Sequence, residues 1–214
     1  MSRVTPDILL QAYAVGLFPM AKARDDRAVF WVEPQARGVL PLDGLHLPRS
    51  LRRTIRRGTF EIRIDTAFGA VIRACREATA VREESWINDE IAELFEALHG
   101  RGHAHSVECW HDGTLAGGLY GVALGAAFFG ESMFTRTRDA SKVALVALVG
   151  HLRRGAFRLL DCQFTTAHLR RFGTIEIARE DYRVRLAAAA RKTAVFYPDF
   201  AGFEEILQST TQTS

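Results

Sequence analysis

Two short stretches set chemistry-bearing residues into otherwise apolar sequence. Phe128-Phe129-Gly130-Glu131-Ser132-Met133-Phe134 holds one carboxylate within a run of aromatic and sulfur-bearing side chains. A glutamate in such a strand is costly unless a cation or hydrogen-bond donors meet it. Leu159-Leu160-Asp161-Cys162-Gln163 repeats the design, a short apolar strand ending in an acid and an amide. Asp161 and Gln163 are two apart, so on a strand they project toward one face. An acid that needs a cation, beside an acid-amide pair able to orient a proton-bearing group, defines a site if the two strand ends meet. Two plainer readings stand beside this one: Asp161 capping the helix that follows, and Glu131 pairing with Lys142 or Arg136.

The rest of the chain must build a frame for these strand ends. Its 214 residues, 48% hydrophobic, suffice for one good core with a smaller second lobe. The uncharged apolar runs at 119–130 and 143–150 are too short for a bilayer span, and no signal-peptide pattern opens the sequence. A cytoplasmic protein without membrane attachment is therefore expected. Cys75, Cys109 and Cys162 are widely spaced and odd in number, which favours buried free thiols over a disulfide framework. No His, Cys and acid cluster has metal-ligand spacing, so no metal is expected, and His103 and His105 read as structural. The net charge is only +3, yet Arg49, Arg52, Arg53, Arg56 and Arg57 fall within nine residues that hold no acid. Such a run is either a solvated helix face or a patch that forks onto backbone phosphates.

In order, Thr5-Pro6-Asp7 predicts a capped helix ending near Gly16. The segment Leu17-Phe18-Pro19-Met20 reads as a turn, 22–27 as a charged loop, and 30–32 and 38–40 as short strands. Pro48 and Ser50 open the arginine-bearing helix, and residues 60–64 alternate as a half-buried strand. Asp65 or Thr66 is expected to cap a helix reaching Arg76, and 79–85 reads as a polar loop. Asn88 or Asp89 starts a helix with apolar residues at 91, 94, 95 and 98. A hairpin over 105–122 turning at Asp112-Gly113, a strand over 126–133 and a helix over 142–154 follow. The strand 158–162, a short helix at 167–172, an extended piece at 174–177, a helix over 179–191 and a frayed tail beyond Gln208 complete the chain. Strand, helices, three antiparallel strands, helix, strand and helix in this order resemble the acyl-CoA N-acyltransferase (GNAT) fold. The expected class is thus α+β with a mainly antiparallel mixed sheet, organised as a small N-terminal lobe at 1–58, a catalytic domain at 59–207 and a tail at 208–214.

Five blocks narrow the resemblance. They are Gly102-His103-Ala104-His105-Ser106-Val107-Glu108, Gly117-Gly118-Leu119-Tyr120-Gly121-Val122-Ala123, Phe129-Gly130-Glu131-Ser132-Met133-Phe134, Ala140-Ser141-Lys142 and Asp161-Cys162-Gln163. In this order and spacing they resemble the leucyl/phenylalanyl-tRNA-protein transferases, from about Leu9 to Tyr182. The resemblance implies transfer of Leu or Phe from aminoacyl-tRNA to proteins with an N-terminal Arg or Lys, marking them for bacterial N-end-rule degradation. Aminoacyl-tRNA would be co-substrate, with no cofactor, and a monomer is expected. Two departures stand out: the stretch ahead of Leu9 is shorter than the family's usual opening, and Met20 occupies a position where many members carry a tryptophan. That tryptophan belongs to the pocket for the 3′-terminal adenosine, for which Trp86 and Phe95 then supply the aromatic candidates.

By the same resemblance Asp161 polarises or orients Gln163 and Gln163 contacts the attacking α-amine; pairing with the cationic acceptor residue then gives the semi-buried Glu131 a task. Leu119, Phe128, Met133, Leu148 and Leu160 would line the aminoacyl pocket. An apolar pocket separates near-isosteres poorly, so Met is a further expected donor. Arg49, Arg52, Arg53, Arg56 and Arg57 would meet tRNA phosphates, which carry no sequence information and suit several tRNAs alike. Two rivals differ in class. An acetyl-CoA-dependent N-acetyltransferase requires a glycine-rich pyrophosphate loop, and none precedes the helix at Ser141. A non-catalytic RNA-binding module leaves the acid and amide strand ends without a task.

Overall fold

The computed structural model describes residues 4–21, 28–77 and 86–209. The loops expected at 22–27 and 79–85, and the tail at 210–214, lie outside the described residues. In chain order the elements are α1 (Pro6–Ala14), β1 (Phe18–Ala21), β2 (Val29–Val32), β3 (Ala36–Val39), α2 (Arg49–Arg56), β4 (Glu61–Ile64) and α3 (Phe68–Arg76). There follow α4 (Asp89–Gly100), β5 (Ala104–His111), β6 (Thr114–Leu124), β7 (Ala127–Thr135), α5 (Ala140–Arg154) and β8 (Leu159–Gln163). The chain closes with α6 (Ala167–Arg170), β9 (Ile175–Ala178), α7 (Arg179–Ala190) and α8 (Glu204–Ser209).

Seven strands form one sheet in the order β4-β5-β6-β7-β8-β3-β9. The period-two alternation of 104–124 becomes the β5-β6 hairpin, turning through Asp112 and Gly113 with φ of 48° and 72°. Every neighbouring pair is antiparallel except β7 and β8, which run parallel because α5 carries the chain back across the sheet. This is the expected α+β class with a mainly antiparallel mixed sheet. The stretch before residue 58 also enters it: β3 sits between β8 and β9, whereas β1 and β2 pair in a two-stranded sheet.

Both faces of the large sheet are covered. One core gathers Leu9 and Tyr13 of α1, Phe68 and Ile72 of α3, Phe95 of α4 and Leu186 of α7 against Tyr120 and Phe129. The other gathers Leu51 and Ile55 of α2, Leu145 and Leu148 of α5 and Ile206 of α8 against Leu119 and Phe128. Among the described residues, no helix is long and apolar enough to cross a membrane.

Local signals held where a side chain had one partner to choose. Thr5 caps α1 by accepting from the Ile8 amide at 3.3 Å, and Asn88 caps α4 from the Ile91 amide at 2.8 Å. Other expectations are corrected. The segment read as a turn at 17–20 is strand β1, in which Pro19 is tolerated because the ribbon is only two strands wide. Neither Asp65 nor Thr66 caps α3. Asp65 adopts φ of 57° and accepts from the Ser106 amide, while the Thr66 hydroxyl donates to Glu108. Ser50 lies inside α2, whose start has no side-chain cap, and α8 carries Gln208 and Ser209 in a helix where fraying was expected.

Candidate active site

The parallel pairing of β7 and β8 runs through Ala127 with Leu159, Phe128 with Leu160 and Phe129 with Asp161, and then stops. Both strands continue, to Thr135 and Gln163, so the sheet opens between them. At the start of the opening β7 bulges: Gly121 pairs with Gly130 and Tyr120 with Ser132, leaving Glu131 as the extra residue. Gly121 permits this, since a Cβ there would lie 2.3 Å from the Phe129 carbonyl oxygen. The bulge flips the side-chain alternation, so that Phe129 and Phe134, five apart, share one face.

A cavity of about 320 Å³ occupies the opening, its apolar wall formed by Leu119, Met133, Leu145, Leu148 and Leu160. Glu131 and Gln163 both line it. Glu131 is buried, and its Oε1 accepts from the Tyr13 hydroxyl at 2.7 Å. Burial pushes the Glu131 carboxyl up to about 8, although the Tyr13 hydroxyl and the approaching Gln163 side chain partly offset the effect. Among the described residues neither Glu131 Oε2 nor Gln163 Nε2 has a well-formed hydrogen bond, so each keeps a polar atom unspent.

Asp161 is in the opposite condition. At 0% exposure it is enclosed by donors: Arg37 Nε at 2.9 Å and the Gln163 amide at 2.7 Å reach Oδ1, and Arg37 Nη2 at 2.5 Å and the Tyr182 hydroxyl at 2.7 Å reach Oδ2. Arg37 also donates through Nη1 to the Gly16 carbonyl at 2.9 Å, and its guanidinium lies over the Phe18 and Tyr182 rings at 4.6 and 4.5 Å. Burial opposes the arginine's charge, but the Asp161 hydrogen bonds and charge outweigh it and hold Arg37 above its ordinary value. The Gln163 backbone, at φ of 59°, is thereby locked in a left-handed conformation that L-residues disfavour. Gly38 of β3 completes the lock, because a Cβ there would come within 2.9 Å of Phe164 and Thr165. Asp161 therefore holds the turn that aims Gln163, and it does not line the cavity.

The alternatives raised for these acids fall away. Thr166 caps the helix after Asp161, Lys142 pairs with Asp139 at 2.7 Å and Arg136 with Glu77 at 2.8 Å. Leu119, Met133, Leu148 and Leu160 line the cavity as expected by position. Phe128 does not: its ring stacks on Phe196 at 5.5 Å, away from the opening, because it precedes the bulge. Phe95 is a fully buried core residue packed edge-on against Tyr120, so no adenine can stack on it. Trp86 is half-buried, and its carbonyl accepts from the Ala21 amide next to Met20. On α2, Arg49, Arg53, Arg56 and Arg57 are exposed, whereas Arg52 donates to the Leu207 carbonyl at 3.0 Å and serves to hold α8.

Sequence reasoning missed Arg37, Tyr13 and Tyr182, the three residues that brace the two acids. Cys162 lines the cavity as a thiol that burial, and then the Asp161 charge, push up to about 12, which rules it out as a thiolate nucleophile near neutral pH. Among the described residues no three His, Cys, Asp or Glu side chains are grouped to hold a metal. The arrangement offers an apolar pocket, a buried carboxyl able to meet a cation, and a rigidly aimed carboxamide between them.

Two family models match the chain: leucyl/phenylalanyl-tRNA protein transferase over residues 39–187, and the N-terminal domain of that protein over residues 2–35. A leucyl/phenylalanyl-tRNA-protein transferase of Paramagnetospirillum magneticum is 61% identical over 196 residues, covering 92% of this chain and 94% of that one. Among solved structures, the C-terminal domain of a putative lysylphosphatidylglycerol synthetase from Agrobacterium fabrum aligns with a TM-score of 0.42 at 11% identity. That alignment covers 98% of this chain and spans 63% of the other.

Proposed function

The chain belongs to the leucyl/phenylalanyl-tRNA-protein transferase family, as its motifs led us to expect, and from that premise we propose how its site works. It is an aminoacyltransferase that takes an amino acid from aminoacyl-tRNA and joins it to the N-terminus of an acceptor protein. Leu and Phe are the donors' amino acids, and the apolar wall, made adaptable by the unbranched side chain of Met133, suits Met as well. The acceptors carry Arg or Lys at their N-terminus, and the enzyme works as a cytoplasmic monomer without a cofactor.

An aminoacyl ester is already activated, so the enzyme's tasks are positioning and proton handling. The acceptor's α-nitrogen forms a bond to the ester carbonyl carbon, the bond from that carbon to the ribose oxygen breaks, and the proton the amine gives up ends on the departing ribose hydroxyl. Gln163, fixed by Asp161 through its backbone amide, orients the α-amine with its carboxamide. Glu131 meets the ammonium or guanidinium of the first acceptor residue, which supplies the cation its burial lacks. The pairing favours the carboxylate, so acceptor binding drives a proton off Glu131. Trp86 flanks the terminal adenosine, and Arg49, Arg53, Arg56 and Arg57 meet tRNA phosphates.

One observation carries this reading: the unspent polar atoms of Glu131 and Gln163 lie at one end of an apolar cavity sized for a Leu or Phe side chain. The test is transfer of radiolabelled Leu or Phe from charged tRNA to an Arg- or Lys-initiated peptide, with acetyl-CoA as competing donor. Label should appear at the peptide N-terminus and acetyl-CoA should be inert. Acetylation without aminoacyl transfer would overturn the assignment.

A further inference from the structure

A second cleft, of about 530 Å³, lies between the β6-β7 turn and the segment that follows α7. Its walls include His103, Ala123, Gly125, Arg191, Lys192 and Phe196, and among the described residues no carboxylate lines it. We propose that this cleft is a docking site for the phosphodiester backbone of the tRNA, away from its aminoacylated end; the inference rests on the aminoacyl-tRNA reading above.

The cleft's charge is uncompensated. Arg191 spends only Nε, on the Ala187 carbonyl at 3.1 Å, and among the described residues neither Arg191 nor Lys192 enters an ion pair. Three exposed arginines elsewhere are neutralised, Arg101 by Asp7, Arg136 by Glu77 and Arg183 by Glu33. Asp65, which meets the wall residue His105 at 2.7 Å, is occupied by that ring and by the Ser106 amide. A cationic concavity with no internal acid favours an anion from outside.

The walls are also pre-formed. Phe196 stacks on the His105 ring at 4.1 Å, and Gly125 lies so close to the end of α7 that a Cβ would come within 2.3 Å of the Ala190 carbonyl oxygen. Its position fits the donor. Leu119 lines the reactive cavity and Ala123 lines the cleft, and both belong to the sheet face covered by α5. Four residues of strand separate them, about 13 Å. The arginine helix α2 packs outside α5 on the same face. The cleft thus reaches from the end of α7, which packs on the other face, round the β6-β7 turn to Ala123 and Phe196 on the face that carries the reactive cavity and α2, so a single elongated polyanion can extend from one to the other. An acidic protein suits the cleft less well, because the acceptor presents a cation to Glu131 while the donor presents a row of phosphates.

The test is the double substitution Arg191→Glu/Lys192→Glu, which alters only exposed side chains at and after the helix end. Binding of charged tRNA should weaken about tenfold at low salt, and the slope of log K against log salt should become shallower by roughly 1.8, two duplex phosphates at about 0.9 each. KM for charged tRNA should rise in step. KM for an aminoacylated 3′-terminal fragment, too short to reach the cleft, should not. Exchange of the same residues by Arg191→Lys/Lys192→Arg should restore the salt slope. An unchanged slope overturns the proposal, as does an equal rise in KM for the fragment. Weakened binding of a polyglutamate peptide with tRNA binding intact also overturns it and gives the cleft to an acidic protein. If the wild-type protein transfers from neither donor, the aminoacyl transfer reading fails instead, and the binding measurement still decides the cleft.

Discussion

Asp161 and Glu131 are both buried acids at apolar strand ends, both near the same opening, and they have opposite surroundings. Asp161 has four donor groups on its two oxygens: Arg37 twice, the Gln163 amide and the Tyr182 hydroxyl. Among the described residues Glu131 has one well-formed donor, the Tyr13 hydroxyl, with the Gln163 side chain approaching beside it, and its second oxygen has no well-formed hydrogen bond. A fully satisfied buried acid is structural capital that holds a shape; a half-satisfied one is unstable until a partner arrives. Under the function proposed above, this contrast suits Asp161 to positioning and Glu131 to recognition, although the sequence writes the two acids in nearly the same way.

The largest effect is expected from breaking the satisfied acid. Asp161→Ala leaves Arg37 charged, buried and unpaired, a loss of about 3–5 kcal/mol of stability. It also frees the left-handed Gln163 turn, so kcat should fall by about 100-fold or more while KM for charged tRNA stays, since misplacement of this order costs that much. Arg37→Met should do nearly as much harm from outside the cavity. Near-normal turnover in either variant would remove the positioning role.

A medium effect of the opposite sign is expected at Glu131. Its carboxyl is raised from 4.5 to about 8, so the folded chain keeps a proton that the unfolded chain releases. This group's contribution is therefore greatest below about pH 4.5 and is lost as pH rises toward 8, at up to about 1.4 kcal/mol per pH unit. Glu131→Gln lacks the titration, so its melting temperature should gain on the wild type as pH increases from 5 to 8. Parallel curves for the two proteins would contradict a raised Glu131. The smallest effect belongs to Tyr13→Phe, which removes the one well-formed donor and should lift the Glu131 carboxyl further. The pH at which acceptor binding becomes strong should then shift upward, read from acceptor KM against pH. A profile identical to the wild type would detach Tyr13 from the site.

Much of this frame was legible. Apolar strands ending in Glu131 and in Asp161-Gln163 located the opening, since polar groups in such runs need a compensating reason. Asn88, Thr5 and the Asp112-Gly113 turn set element boundaries through one-partner local chemistry. The braces were not legible. Arg37 lies in Gln35-Ala36-Arg37-Gly38-Val39, and its partner is 124 residues away, a pairing that no local pattern encodes. Tyr13 and Tyr182 count as apolar positions on their helices, and periodicity does not see their hydroxyls. Phe128 does lie on the face of Leu119 and Leu160, but it packs against Phe157 and Phe196, distant contacts that its place in the strand does not show. For Phe95 the signal was present: apolar spacing at 91, 94, 95 and 98 marks the core-facing stripe of α4, and that is where it lies.

The division of labour between the two acids is tested most directly by the kinetics of Glu131→Gln with an Arg-initiated peptide and charged tRNA, measured at pH 7.5 alongside the wild type. Acceptor KM should rise at least tenfold, the loss of a charge-assisted contact, with KM for charged tRNA unchanged. An acceptor KM equal to that of the wild type would contradict the account and return Glu131 to a structural role.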